Sequence, residues 1–162
     1  MSVAPRHHRK RKPWFFKLFS LYPPFLGAGI RLERVAPDLR TFTVRMKLTW
    51  RNRNYVGTHF GGSLYAMCDP FFMLILIENL GPDYVVWDKA ATIRFRRPGR
   101  GTVRATFHIS REQIEEIRRA ADAGEIVERT FSTEVVAEDG ATVAEVDKLL
   151  YVRRKPPDPR PA

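Results

Sequence analysis

The segment from residue 57 to residue 82, GTHFGGSLYAMCDPFFMLILIENLGP, constrains the fold more than any other part of the chain. It is the longest apolar segment, it opens on a pair of glycines, and it closes on Gly81-Pro82, a typical helix stop. A helix that is apolar nearly all round must be buried. The unbroken apolar run, residues 71–77, is well short of the roughly 18 residues that a membrane span needs. The segment therefore predicts a long central helix wrapped by the rest of the chain.

Alternation of apolar and polar residues predicts strands on both sides of this helix. A capping box, Ser110-x-x-Gln113, predicts a surface helix over residues 111–121. Long antiparallel strands bury one face only, and one long apolar helix is the natural partner for that face. We therefore expect an α+β fold, a curved antiparallel sheet of about six strands around one central helix, with short N-terminal and surface helices. The predicted strands span residues 30–35, 41–49, 84–96, 102–110, 127–137 and 142–153.

The 162 residues are enough for one domain with a proper core. We divide them into a basic arm and short helix (1–24), one domain (25–154) and a flexible tail (155–162). The single cysteine, Cys68, excludes an internal disulfide and is predicted to be buried and inert. Because no secretory segment follows the basic N-terminus, we expect a cytoplasmic protein.

The net charge of +10 is concentrated in a few windows, so the chain does not resemble a protein that coats nucleic acid. Residues 1–12 contain five Lys or Arg residues and no acid. Trp14–Leu21 predicts a short amphipathic helix that ends at Tyr22-Pro23-Pro24. Arm and helix could make a weak contact with an anionic membrane surface. The helix is short, so we favour the alternative that it packs on the domain.

The central segment also carries a motif. Gly61-Gly62 is followed by an apolar spacer and then, seven residues after the second glycine, by Asp69. This pattern resembles acyl-CoA thioesterases of the phenylacetate-pathway type, which have the hotdog fold and a His-Gly-Gly at the helix start. The sequence departs from that motif because Phe60 precedes the glycines and His59 lies one position earlier. With VWDKAATIRFRRPGRG, the segment is most similar to a hotdog branch usually classed as a domain of unknown function.

The resemblance covers about residues 25–154 and implies a thioester hydrolase. Gly61 and Gly62 would hold the thioester carbonyl at the helix N-terminus, and Asp69 would activate water or act as nucleophile. Gly62 and Asp69 are about 10 Å apart along a helix, so one carbonyl cannot easily use both in one chain. We therefore predict a homodimer, or a dimer of dimers, with sites formed between subunits.

Each of these residues also has a structural interpretation. Asp69-Pro70 is a typical cap signal, and Asp69 could simply restart a kinked helix. The glycines could serve tight packing at the helix entry. His59 could donate to substrate, but a structural role is favoured.

Further candidate substrate-binding residues flank these positions. Phe60 and Tyr65 neighbour the glycines, and Asp88 lies on the predicted third strand. We favour an ion pair of Asp88 with Lys89 at the subunit interface. The hairpin arginines either bind CoA phosphates or are solvated; they are Arg94, Arg96, Arg97, Arg100 and Arg104.

Hydrolysis of an acyl-CoA or acyl-carrier thioester is the leading prediction. No metal-ligand spacing is present, and we expect neither a metal nor another cofactor. The main alternative is an acyl- or lipid-binding hotdog protein without catalysis, and a third is a basic protein that docks through its N-terminal arm. Nucleic acid is not an expected partner, since the arginine cluster lacks interleaved aromatics. A hotdog dehydratase ranks lower: His59-Phe60 fits, but Met73 stands where its acid belongs.

Overall fold

Six strands form one antiparallel sheet in the order β1-β2-β4-β5-β6-β3 in the computed structural model, which describes residues 10–156. The strands are β1 (Ile30–Val35), β2 (Thr41–Lys47), β3 (Tyr84–Phe95), β4 (Thr102–His108), β5 (Val127–Ala137) and β6 (Thr142–Arg154). The helices are α1 (Pro13–Lys17), a 3₁₀ helix (Leu18–Leu21), α2 (Pro23–Ala28), α3 (Gly61–Ala66), α4 (Phe71–Leu80) and α5 (Arg111–Asp122). Most of the predicted basic arm (1–9) and most of the predicted tail (157–162) lie outside the described residues.

The buried apolar residues of β2 and β4 face the central helix, as their alternation predicts. Phe42 on β2 and Phe107 on β4 are fully buried. Phe71 at the start of α4 stacks on Phe107 with ring centroids 4.9 Å apart and also contacts Phe42. The sheet curls around the helix in the hotdog arrangement, so the fold prediction is confirmed.

The central helix is interrupted where the sequence has Asp69-Pro70. A turn separates α3 from α4, because a residue before proline is pushed out of the helical region. The N-cap of α4 is Pro70, and no side chain caps the helix, so the interpretation of Asp69 as a cap is wrong. Residues 61–80 are also the one described segment with the length and composition of a membrane span. Over half of it is buried in the domain, as in the core helix of a soluble protein.

The N-terminal helices pack on the domain, as we favoured. Phe16 and Phe25 are buried against Phe42 and Phe71 respectively. The sequence does not predict α2, because Pro23-Pro24 is typical of a helix stop. These prolines instead occupy the first turn of α2, where a missing N–H costs nothing.

The two edges of the sheet differ. The N–H of Leu32 on β1 donates to the Ser20 hydroxyl (3.1 Å), so the N-terminal helical segment covers part of that edge. Strand β3, twelve residues long, pairs only with β6 among the described strands and is largely exposed. A long unprotected edge is a template for pairing with another strand.

Candidate functional site

A buried lysine lies at the centre of a charged cluster beside the break in the central helix. Lys148 on β6 is completely buried. Its Nζ lies 2.8 Å from Oδ1 of Asp69, 3.0 Å from Oδ2 of Asp88 and 3.1 Å from the hydroxyl of Tyr65. Tyr65 in turn donates to Oδ1 of Asp69 at 2.9 Å. Two predicted site residues and one predicted catalytic acid are thus tied together by a cation that the sequence analysis did not select.

Three different elements bring these side chains together. Tyr65 lies in α3 and Asp69 in the turn after it, four residues on, so both face the same side. Asp88 comes from β3, the strand that pairs with β6. Asp69 thus lies at the break between α3 and α4, where its side chain contacts Lys148 of the sheet.

The protonation states follow from burial and pairing. Burial alone would lower the pKa of Lys148, but the bonds to Asp69, Tyr65 and Asp88 raise it above the ordinary lysine value. Burial raises the pKa of Asp88, and Lys148 only partly opposes this effect. Burial also raises the pKa of Tyr65, so its phenol remains a hydrogen-bond donor to Asp69 at neutral pH. Lys148 is consequently charged at neutral pH.

The Asp69 carboxylate is held at one oxygen and open at the other. Oδ1 accepts hydrogen bonds from Lys148 and Tyr65, whereas Oδ2 has no partner within residues 10–156. Half of the side chain is exposed. A fixed carboxylate with one free oxygen on a solvent-accessible surface can accept a proton from water.

A second feature is a cavity of about 440 Å³ at the start of α3. It brings together four predicted site residues. Its lining is formed by Asn54, Thr58, His59, Gly61, Leu64, Phe95, Arg96, Arg97, Pro98 and Gly99.

The two glycines at the helix start are closely covered by aromatic rings. A Cβ on Gly61 would lie 2.9 Å from the ring of Phe95, and one on Gly62 would lie 2.4 Å from the ring of Phe60. Tight packing, the structural alternative, therefore accounts for both glycines. As the first two residues of α3, they also have amide N–H groups that the helix itself cannot satisfy.

His59 is buried and held by the backbone. Its Nε2 lies 3.1 Å from the carbonyl oxygen of Gly101. A carbonyl can only accept, so Nε2 carries the proton and Nδ1 is an acceptor. Nδ1 is buried without a partner in the described part of the chain, and burial lowers the pKa of the ring. The one N–H of neutral His59 is engaged, which supports the structural role.

The predicted pair of Asp88 with Lys89 is wrong. Neighbouring residues on a strand point to opposite faces. Asp88 turns inward to Lys148, while Lys89 turns outward and bonds Glu128.

Most arginines of the β3–β4 region are already paired with acids. Arg94, Arg96, Arg97 and Arg104 bond Asp147, Glu145, Asp139 and Glu33 respectively. Arg100 has no ion pair among the described residues. The cluster is thus a largely neutralised surface network, with Arg96 and Arg97 still lining the cavity.

Two other kinds of site, a reactive cysteine and a metal centre, are not found among the described residues. Cys68 is fully buried, and burial raises the pKa of its thiol to about 12, so it is inert as predicted. Within residues 10–156, no group of three or more His, Cys, Asp or Glu residues could hold a metal ion.

Comparison with known proteins places the fold. The model of a family described as "Domain of unknown function (DUF4442)" matches residues 12–152. No curated protein matches the chain. A Pseudomonas aeruginosa structure described as a probable thioesterase has a TM-score of 0.81 at 22% identity, covering 91% of this chain and 99% of that one. A Haemophilus influenzae thioesterase has a TM-score of 0.67 at 13% identity, and the match covers 91% of this chain and 94% of that one. A mutant Pseudomonas aeruginosa thioesterase has a TM-score of 0.65 at 14% identity, and the match covers 91% of this chain and 97% of that one.

Proposed function

The chain belongs to the DUF4442 family, and we propose that it is a thioesterase that hydrolyses an acyl-CoA or acyl-carrier thioester. The proposal depends mainly on one observation: Asp69, a half-exposed carboxylate at the break in the central helix of a hotdog fold, is fixed at one oxygen by the buried cation of Lys148 on β6. Structural neighbours with this fold are described as thioesterases, which supports the same class of reaction.

The proposed reaction uses Asp69 as a general base. Oδ2 removes a proton from water, and the hydroxide attacks the carbonyl carbon of the thioester. The C–S bond breaks, the acyl group with the added hydroxyl becomes a carboxylic acid, and the thiolate leaving group takes up the proton that Asp69 removed from water. The amide N–H groups of Gly61 and Gly62 would stabilise the oxyanion. Lys148 keeps one oxygen of Asp69 fixed, so the other is free to act.

A homodimer would bring these parts together. The glycines and Asp69 lie at opposite ends of α3, so the carbonyl at one subunit's helix start is best met by Asp69 of a second subunit. The exposed edge strand β3 supports such an assembly, because two copies could pair there about a two-fold axis. Asp88, a member of the charged cluster, lies on this same strand. A dimer of dimers would contain two such pairs.

The dimer can be tested with charges on β3. Ala90 and Ala91 are exposed near the middle of the strand. In a two-fold pairing, glutamates at these positions would lie close to their own copies, where like charges are destabilising. The double variant Ala90→Glu/Ala91→Glu is therefore expected to be monomeric by analytical ultracentrifugation. Ala123→Glu, on an exposed alanine after α5, should leave the dimer intact. Equal behaviour of the two proteins would contradict pairing through β3.

The substrate side of the proposal concerns the cavity at the start of α3. We place the thioester end of the substrate there, next to Gly61, with Phe60 and Tyr65 on the same helical segment. Arg100 follows Arg96 and Arg97 on the hairpin beside this cavity and, having no ion pair among the described residues, would attract the CoA or carrier phosphates. Arg96 and Arg97 would contribute by exchanging their acidic partners for the phosphates. An intracellular substrate of this kind is consistent with a cytoplasmic location.

A turnover screen tests the function directly. The full-length protein is incubated with acyl-CoAs of short, long, branched and aromatic acyl groups, and free thiol is measured. We expect hydrolysis of at least one class, with kcat in the range of about 1–10³ s⁻¹ that is usual for enzymes. The absence of thiol release from every member, together with unchanged substrates by mass spectrometry, would overturn the proposal.

A non-catalytic acyl or lipid binder is the second candidate. Two observations favour it: the one ring N–H of neutral His59 donates to the carbonyl of Gly101, and aromatic rings fill the space over both glycines. This candidate predicts saturable acyl-CoA binding by calorimetry without thiol release. The turnover screen therefore separates the two.

A further inference from the structure

The N-terminal helical segment has two apolar faces, and only one of them packs on the domain. Phe16 and Phe25 form the inner face and are buried. The outer face consists of side chains that are 47–65% exposed: Trp14, Leu18, Leu21, Tyr22 and Leu26. Packing on the domain therefore does not explain these five residues.

The outer-face residues follow helical spacing. Trp14 and Leu18 are four residues apart, and Leu18 and Leu21 are the two ends of the 3₁₀ helix, where side chains three apart align. The N–H of Leu26 donates to the carbonyl of Tyr22 at 2.8 Å, so these two residues are also one turn apart. Trp14, Leu18 and Leu21 thus follow one line along the helical segment, and Tyr22 and Leu26 follow a second line that begins at the next residue.

The charge of this region is of one sign. The first 32 residues contain no Asp or Glu. Lys12 and Lys17 are exposed and have no ion pair in the described part of the chain, unlike most arginines of the β3–β4 region. The Lys and Arg residues of residues 1–32 are Arg6, Arg9, Lys10, Arg11, Lys12, Lys17 and Arg31.

We propose that this outer face docks on an anionic membrane surface. Leucines beside Trp and Tyr suit the boundary between acyl chains and headgroups, and unpaired lysines suit anionic lipids. A second copy of this chain is a poorer partner, because it would bring Lys12 and Lys17 against their own copies. A nucleic acid would use the lysines but not Leu18, Leu21 or Leu26. The docking would place the domain beside a membrane, whether or not it hydrolyses thioesters.

Vesicle sedimentation with the full-length protein tests the docking. We expect binding to vesicles of phosphatidylcholine mixed with phosphatidylserine, and much weaker binding to phosphatidylcholine alone. Lys12→Gln/Lys17→Gln should weaken binding about fivefold per lysine removed. Leu18→Ser/Leu21→Ser should weaken it by about tenfold or more, since two apolar side chains no longer insert.

The matched control is Ile126→Ser, which removes an equally exposed apolar side chain between α5 and β5. It should bind mixed vesicles like the wild type. The proposal is overturned if the wild type does not bind mixed vesicles or if the leucine and Ile126 variants bind equally. It is also overturned if the leucine variant changes the oligomeric state, or if the protein binds RNA but not vesicles. Thermal unfolding of each variant verifies that the fold is intact, and the failure of thioester turnover would leave these outcomes unchanged.

Discussion

Replacing Asp69 with asparagine is expected to lower kcat for thioester hydrolysis by about two to four orders of magnitude. The amide has nearly the shape of the carboxylate, and its oxygen can still accept from Lys148 and Tyr65. Its nitrogen, however, cannot take a proton from water. KM should change much less than kcat, because the lost interaction matters mainly in the transition state. Steady-state kinetics with the best substrate from the turnover screen measures both constants.

The matched control for Asp69→Asn is Glu125→Gln, which removes an exposed carboxylate with no ion pair among the described residues. It should keep wild-type kinetics. If Asp69→Asn also keeps wild-type kcat, Asp69 is not the base. A loss of activity accompanied by unfolding would be uninformative about chemistry, so the thermal midpoint is measured for each variant.

The fold was largely predictable because its signals are local and periodic. The alternation of Phe42, Val44 and Met46 determines which face of β2 is buried, and neighbouring strands repeat that pattern. The capping box of Ser110 and Gln113 forms in the structure as predicted. Proline was the less certain signal: Pro70 breaks a helix, whereas Pro23 begins one.

The candidate site was less predictable, because it depends on contacts between residues far apart in sequence. Asp69 and Lys148 are 79 positions apart. A signal for Lys148 nevertheless exists in β6, where Val146, Lys148, Leu150 and Val152 occupy alternate buried positions. A lysine at a buried strand position requires an acidic partner. That rule identifies the need for a partner but not which carboxylates meet it.

Replacing Lys148 with methionine is expected to lower the free energy of unfolding by about 3–5 kcal/mol. Methionine keeps much of the apolar stem but leaves the carboxylates of Asp69 and Asp88 without their shared cation. Most of the effect should come from Asp88, since Asp69 is half exposed and water screens its charge. For a chain of this length the thermal midpoint should fall by about 6–20 °C.

Lys89→Met is the matched control, because Lys89 lies on the adjacent strand and pairs with Glu128 at the surface. Its loss should cost no more than about 1 kcal/mol. Adding Asp88→Asn to Lys148→Met should restore part of the stability, which a packing defect alone would not allow. Chemical denaturation of the four proteins measures these differences.

The pH dependence gives an independent check on the role of Lys148. Its pKa is raised in the folded state, so its contribution is fully present below the ordinary lysine pKa and is lost only as pH rises through the higher folded value. The stability difference between wild type and Lys148→Met should therefore persist across neutral pH. It should shrink in acid, because burial raises the pKa of Asp88 and its protonation removes a buried charge that Lys148 balances. A difference that stays constant down to low pH would mean that the lysine acts through packing and not through its charge.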